Sequence, residues 1–116
     1  MAVDRERRLG EQLRREIAVM LQRDVRDPRV GFPTPTKVDV TSDLSYATVH
    51  VMLNGEPSER TQQMEGLERV APYLRRRLGE MLHIRKVPEL RFVEDRASEA
   101  TRRIEELLRA DEPGPS

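Results

Sequence analysis

The chain has 116 residues, no cysteine, few aromatic residues and a formal net charge of zero. The lack of cysteine excludes a disulfide framework, a thiolate metal site and a thiol nucleophile, and no stretch approaches the roughly 20 apolar residues that cross a bilayer. The N-terminus also lacks the apolar run of a signal peptide, so we expect one soluble, cytoplasmic domain over residues 1–110 and a disordered tail over 111–116.

Charge is unevenly distributed along the chain. Residues 1–29 carry eight arginines against six acids, residues 70–93 carry six basic groups against two acids, and residues 94–116 carry seven acids against four arginines. Only two of the basic residues are lysines. Guanidinium groups suit bidentate contacts to phosphate, but an arginine-rich genome explains the high ratio of arginine to lysine equally well. This ratio alone therefore does not identify a partner.

The first predicted element is an amphipathic helix from Asp4 to about Val25. Its apolar positions recur at spacings of three and four, which indicates one buried stripe. These positions are Leu9, Leu13, Ile17, Met20 and Leu21. The helix is expected to end at "RDPRVG", because a proline disfavours helical dihedrals at the residue that precedes it.

Two strands follow and are predicted to form a hairpin. "TKVDVTS" alternates Val38 and Val40 with polar residues, and "YATVHVML" alternates small and aliphatic residues with Tyr46, Thr48 and His50. The segment "SDLS" between them is typical of a turn. The hairpin should therefore bury one face.

A helical pattern interrupted by proline comes next. Ser58 is a plausible N-cap, and the apolar positions continue on both sides of Pro72. Within a straight helix a proline costs about 3 kcal/mol, whereas at the first turn of a new helix it costs almost nothing. We therefore predict two helices with a kink at Ala71 and Pro72. The apolar positions are Met64, Leu67, Val70, Ala71, Leu74, Leu78, Met81 and Leu82.

The remaining elements complete an α+β order, αββααβ with a C-terminal helix. "ELRFVED" predicts a third strand, and about Ser98 to Ala110 predicts a helix with apolar Ile104, Leu107 and Leu108. Three strands and adjoining helices favour a two-layer sandwich with a mixed sheet. No large apolar face is expected to remain uncovered, so we expect a monomer.

Three segments in this order carry a family resemblance. They are "RDPRVG", "SDLSYATV" and "VPELRFVED", within longer stretches that span about residues 5 to 108. Together they resemble bacterial ribosome-binding factor A, although each alone is a weak signal. The resemblance implies a type II KH-like fold. It also implies a non-enzymatic factor that binds the small (30S) ribosomal subunit and its 16S rRNA and assists late maturation and rRNA processing, with a link to cold adaptation.

The resemblance also bears on the expected kink. Ordinary KH domains hold nucleic acid with a GXXG loop between two helices. The family has an Ala-x-Gly kink there, which maps onto Ala71, Pro72 and Tyr73, so the alanine matches and the glycine does not. Tyr73 would either stack on a base or lie along its own helix.

The arginines near the kink are the preferred candidates for RNA contact. A run of arginines is usually a solvated helix face, but the first turn of a new helix would add free N–H groups and a positive dipole end at the same place. The primary candidates are Tyr73, Arg75, Arg76, Arg77, Arg85 and Lys86, and the secondary candidates are Arg5, Arg7, Arg8, Arg26 and Arg29.

A search for catalytic or cofactor motifs finds none with convincing spacing. There is no Walker motif, no GxGxxG after a strand and no GxSxG, and His50 and His83 lie on different elements. Asp39, Asp43 and Asp95 would suit a metal-dependent nuclease only if they met, and each has a simpler structural role. We expect no enzyme activity, cofactor, metal, small-molecule substrate or membrane partner. A protein-interaction module and a KH-like RNA binder without a ribosomal role remain alternatives.

Overall fold

The computed structural model describes residues 2–25, 33–96, 103–104 and 106–108, with side chains from residue 4 onward. Its elements are helix α1 (Ala2–Arg23), strand β1 (Thr34–Val40), strand β2 (Tyr46–Met52), helix α2 (Pro57–Leu82) and strand β3 (Glu89–Glu94). Residues 103–104 and 106–108 are also helical, within the predicted C-terminal helix. The "RDPRVG" turn with Arg26 and Arg29, and the tail 111–116, lie outside the described residues.

The three strands form one mixed sheet, as predicted, and their order is β1-β2-β3. Strand β1 pairs antiparallel with β2, while β3 pairs parallel with β2. The predicted alternation in β2 is confirmed, because Ala47, Val49 and Val51 are fully buried whereas Tyr46 is 37% exposed. One face of the sheet therefore supplies the core and the other lies open, as expected for a half-covered α+β sandwich.

The two long helices cover the buried face side by side. Helix α1 packs on β1 and α2 packs on β3, with a smaller contact between the helices. The predicted stripe on α1 is confirmed, since Leu13, Ile17, Met20 and Leu21 are all buried. Gly10 lies where α1 approaches the sheet closely, because a Cβ at this position would overlap the carbonyl oxygen of Val38. This arrangement leaves β3 at one edge of the sheet, beside α2.

The expected boundary between two helices at Ala71 and Pro72 is wrong. Helix α2 runs continuously from Pro57 to Leu82 with Pro72 inside it. Leu67, Leu74 and Leu78 are fully buried on both sides of the proline, so one apolar face packs on the core along the whole length. Pro72 itself is exposed, and its ring nitrogen has no N–H to donate to the carbonyl of Glu68. Continuous packing thus outweighs the local cost of the proline.

The start of α2 also differs from the prediction. The N-cap is Glu56, not Ser58, and Glu56 and Glu59 form a reciprocal capping box in which each side chain accepts from the other's backbone N–H. Pro57 occupies the first turn, where proline is favoured. The helix ends at Leu82, and its C-cap His83 takes the left-handed conformation at φ 52° and ψ 34°.

The C-terminal helix does not bury its apolar positions as expected. Ile104, Leu107 and Leu108 are 57%, 60% and 61% exposed. On α2, Met81 was also expected to face the core but is 41% exposed. The expectation that no apolar face remains uncovered is therefore wrong for the described residues.

Candidate functional site

A groove of about 720 Å³ lies between α2 and the edge strand β3. Helix α2 supplies one wall and β3, with the loop that precedes it, supplies the other. The lining residues are Glu68, Ala71, Pro72, Arg75, Arg76, Gly79, Val87, Glu89, Leu90, Arg91 and Phe92. The sequence-predicted elbow at Ala71 and Pro72 thus borders the groove, although it is a stretch of one helix.

The groove combines an apolar floor with a charged rim. Leu90 and Phe92 point towards the core and are only 7% and 8% exposed, so their edges form the floor. The Nε and Nη2 atoms of Arg75 both donate to the carbonyl oxygen of Val87, at 3.1 and 3.0 Å. This contact ties α2 to the loop before β3 and fixes the width of the groove at this point. A guanidinium carries five N–H donors, so Arg75 has more donors than these two contacts use.

Arg76 and Arg77 differ in position although they are neighbours in sequence. Arg76 lines the groove and its guanidinium carbon lies 5.8 Å from the ring centroid of Tyr73. Arg77 is not part of the lining, and its Nη1 contacts Glu80 Oε2 at 2.9 Å. A rotation of about 100° per residue separates consecutive side chains on a helix, so three adjacent arginines cannot share one surface. Tyr73 is half-buried and packs against the core.

The other basic candidates in this half of the chain lie near the turn between β1 and β2. Lys86 Nζ donates to Ser45 Oγ at 3.0 Å, and the backbone N–H of Glu89 donates to the carbonyl of Ser45 at 2.9 Å. Arg85 is exposed and precedes Lys86 in the same loop. These contacts place the basic loop and the "SDLS" turn at the same end of the sheet.

The turn is organised around Asp43. Its Oδ1 accepts from the backbone N–H of Ser45 at 3.0 Å and from Thr41 Oγ1 at 2.8 Å. These hydrogen bonds, helped by the nearby charge of Lys86, lower the pKa of Asp43 to about 2. Leu44 adopts a positive φ of 60° within the same turn. Asp43 therefore has the hydrogen-bonding role in the turn that the sequence predicted, and its lowered pKa favours the ionised form.

The open face of the sheet carries contacts that sequence reasoning missed. The guanidinium carbon of Arg91 lies 3.8 Å from the ring centroid of Tyr46. His50 Nε2 lies 3.0 Å from Asp39 Oδ2, and Lys37 Nζ lies 3.5 Å from Asp39 Oδ1. The strand register determines these pairs, since Lys37 is opposite His50 and Thr48 is opposite Arg91. The alternation of residues in the sequence identified the open face of the sheet, but the contacts between strands could be assigned only once the strand register was known.

The three aspartates considered for a nuclease have separate partners. Asp39 is paired with His50 and Lys37, Asp43 holds the turn, and Asp95 Oδ2 accepts from Thr36 Oγ1 at 2.6 Å. Within the described ranges no group of three or more histidine, aspartate or glutamate side chains is arranged to hold a metal ion. None of the described helices is long and apolar enough to cross a membrane.

The secondary candidates on α1 lie away from the groove. Arg5 and Arg8 are exposed on the helix that packs against β1, at the opposite edge of the sheet from β3. Arg7, also on α1, lies 3.7 Å from Asp4 in an exposed ion pair. The structure thus brings together Arg75 and Arg76, and separates them from the N-terminal arginines.

Comparison with known proteins identifies the family. The family model described as "Ribosome-binding factor A" matches residues 5–108. The chain belongs to the ribosome-binding factor A family. Ribosome-binding factor A of Halothermothrix orenii is 43% identical over 109 residues, which cover 94% of this chain and 89% of that protein.

Solved structures of ribosome-binding factor A share the fold. The crystal structure of the Thermus thermophilus protein superposes with a TM-score of 0.70 at 28% identity, covering 79% of this chain and 97% of that one. A Thermus thermophilus model fitted into a cryo-electron-microscopy map of a complex of the 30S subunit with this factor has a TM-score of 0.65 at 29% identity, with the same coverage. The α+β architecture is thus KH-like, as the resemblance implied.

Proposed function

We propose that this member of the ribosome-binding factor A family binds the free 30S ribosomal subunit through 16S rRNA and assists its late maturation and rRNA processing. It acts as a monomeric, cytoplasmic and non-enzymatic factor, and it supports growth in the cold. Family membership supports the ribosomal role, because a Thermus thermophilus relative has been fitted into a map of a 30S complex. The groove between α2 and β3 supports the RNA-binding mode.

The single observation that carries the RNA-binding mode is the composition of this groove. Its apolar floor at Leu90 and Phe92 suits the faces of unstacked bases, while Arg75 and Arg76 on one rim suit phosphate oxygens. Among the described strands β3 pairs with β2 alone, so its other edge offers backbone donors and acceptors to a ligand. A single-stranded segment of rRNA fits these features better than a duplex.

The mechanism follows from differential affinity. Phosphate contacts by Arg75 and Arg76 position the protein, with Arg85, Lys86 and Arg91 as further candidates at the end and edge of β3. A protein that binds one local arrangement of the rRNA more tightly than another shifts the population towards that arrangement. This mechanism requires no covalent chemistry.

The continuous helix removes one expected contribution to phosphate binding. Pro72 does not begin a new helix, so there are no unpaired N–H groups of a first turn beside Arg76. The affinity for phosphate at this place then depends on the side-chain charges and not on a helix N-terminus. Tyr73 is a candidate for base stacking only at its exposed edge, since its ring packs partly on the core.

Arg76 and Arg77 provide a matched pair of substitutions. Arg76→Ala is expected to weaken binding to 30S subunits and to reduce the steepness of the salt dependence by about 0.7 for each phosphate that is no longer neutralised. Arg77→Ala removes the same charge one residue away, outside the groove, and is expected to leave that slope unchanged. The dissociation constant is measured at several salt concentrations from low to moderate, and its dependence on salt gives the slope for each variant. Equal slopes for the two variants would exclude the groove as the RNA site.

Sedimentation separates the proposal from its two alternatives. The tagged protein is expected to co-sediment with free 30S subunits and not with translating ribosomes, and RNase treatment should release it. A complex that survives RNase would indicate a protein-interaction module. Binding to RNA in general, without enrichment on 30S subunits, would indicate a KH-like RNA binder with no ribosomal role.

A further inference from the structure

A stacked pair of side chains lies on the open face of the sheet, next to the groove. The guanidinium carbon of Arg91 is 3.8 Å from the ring centroid of Tyr46, which is direct contact. The corresponding distance between Arg76 and Tyr73 is 5.8 Å, near the outer limit of about 6 Å for a cation–π interaction. Tyr46 is still 37% exposed beneath this contact, and Arg91 is exposed as well. We call the pair of Tyr46 and Arg91 the platform.

The guanidinium of Arg91 is not engaged by an acid in the part of the chain that the structure describes. On α2, by contrast, Arg77 is paired with Glu80 at 2.9 Å. Asp39, an acid on the same face of the sheet, is engaged by Lys37 instead. The tyrosine ring therefore holds the plane of the guanidinium, while its N–H edge is left without a carboxylate among these residues.

The surroundings of the platform favour a base over a phosphate group as its ligand. Glu89 is opposite Tyr46 in the strand register and is exposed. Its carboxylate repels a phosphate but accepts a hydrogen bond from the exocyclic amino group of a base. Guanidinium planes and aromatic rings are the groups on which proteins stack unpaired bases of RNA. An unpaired base therefore suits both the stacking surface and the acceptor beside it.

We propose that the platform is a second RNA site, which stacks one unpaired base of a strand that crosses the edge of β3 from the groove. The proposal rests on the function proposed above. Arg91 and Glu89 also line the groove, and among the described strands β3 pairs with β2 alone, so the groove and the open face meet at this edge. Next to Tyr46 in the chain, Ser45 Oγ accepts from Lys86 Nζ, which places a cation there for a phosphate of the same strand.

This mode of binding gives Arg91 a role different from that of Arg75 and Arg76. The base stacks on the outer face of the guanidinium, so that tyrosine, guanidinium and base form three layers. Because the ring already holds the guanidinium plane in the free protein, little side-chain entropy is lost when the base binds. Arg91 thus acts through its plane, whereas Arg75 and Arg76 act through their charge.

Arg91→Lys tests this role, because it keeps the charge and removes the plane. Stacking of one base is worth roughly 1–3 kcal/mol, which corresponds to a factor of about five or more in affinity. We expect Arg91→Lys to weaken binding to naked 16S rRNA by about fivefold or more and to leave the salt dependence unchanged. Arg15→Lys, at an exposed arginine of α1, is the matched control and should bind like the parent. An Arg91→Lys variant that binds as tightly as the parent would overturn the platform.

Tyr46 provides a second, independent pair of variants. Tyr46→Leu removes the ring beneath the guanidinium and is expected to weaken binding to naked 16S rRNA, whereas Tyr46→Phe keeps the ring and should restore most of the affinity. Urea unfolding shows whether each variant is folded, and Arg91→Lys, a change of an exposed side chain, decides the question if Tyr46→Leu is not. Weaker binding of the variants to 30S subunits but not to naked rRNA would indicate a ribosomal protein on this face and would overturn the RNA site.

The groove and the platform can fail separately. If Arg76→Ala flattens the salt dependence while Arg91→Lys and Tyr46→Leu bind like the parent, the groove stands and the platform is wrong. If the parent shows no preference for 30S subunits, the probe is an oligoadenylate of about ten nucleotides, whose bases carry an exocyclic amino group. Weaker binding of both variants to this oligonucleotide would then support the platform although the proposed function fails. A parent that binds neither rRNA nor the oligonucleotide would overturn both.

Discussion

At the scale of single residues, the turn between β1 and β2 shows how one carboxylate organises a loop. Asp43 accepts hydrogen bonds from Ser45 and Thr41, and Thr41 Oγ1 in turn accepts from the backbone N–H of Tyr46 at 3.1 Å. The positive φ of Leu44 is held within this network. The preference of aspartate for such turns made the role of Asp43 predictable. The hydrogen bond from Lys86 to Ser45 was not predictable, because the two residues are 41 positions apart in the chain.

The turn is expected to make stability depend on pH. The pKa of Asp43 is lowered from 3.8 to about 2, because its hydrogen bonds favour the charged form. Its contribution is therefore fully present above about pH 4 and is lost as the pH falls towards 2. Asp43→Asn should lower the free energy of unfolding at pH 7. Near pH 2 the difference in free energy of unfolding between the variant and the parent should be smaller. Urea unfolding at both pH values measures this, and a gap independent of pH would contradict it.

At the scale of elements, α2 shows where sequence reasoning succeeded and where it failed. The alternation in β2 and the stripe on α1 were predictable, because each depends on a local period. The prediction that two helices meet at Pro72 was wrong. The local cost of proline in a helix is opposed by a tertiary contact, since Leu67, Leu74 and Leu78 pack on one core. The groove itself was not predictable, since it depends on the spacing between α2 and β3.

Pro72 is expected to be a net cost to the stability of α2. Pro72→Ala restores an N–H that can bond to the carbonyl of Glu68, and the exposed ring loses little packing. The free energy of unfolding should rise by about 1–3 kcal/mol. Pro57→Ala is the matched control, since proline in the first turn costs little, and it should change stability by less than about 0.5 kcal/mol. Chemical denaturation measures the free energy of unfolding of both variants. A loss of stability in Pro72→Ala would show that the proline ring stabilises the fold.

At the scale of the whole molecule, Gly10 marks a close contact between the helical layer and the sheet. A methyl group there would meet the backbone oxygen of Val38, which cannot move without disturbing β1. At Gly79 a methyl group would lie 3.1 Å from Cγ2 of Val87, at the end of a side chain. The two glycines thus differ in how easily their neighbours yield.

The two glycines give a matched test of this packing. Gly10→Ala should reduce the free energy of unfolding by about 1–3 kcal/mol, despite the better helix propensity of alanine. Gly79→Ala should change it by less than about 1 kcal/mol, because the gain in propensity offsets the small adjustment of Val87. Thermal or urea unfolding measures both, and similar losses would indicate that α1 and the sheet can separate slightly at low cost.

The parallel pairing of β3 has a consequence for the order of folding. The β1–β2 hairpin closes over a short turn, but Tyr46 pairs with Glu89 only after the intervening chain has returned across the sheet. Closing such a long loop is slower than forming a hairpin, and β3 leaves the ribosome later than the elements it joins. One wall of the groove is consequently assembled after the β1–β2 hairpin and α2. A nascent chain therefore completes the groove only after β3 has been synthesised.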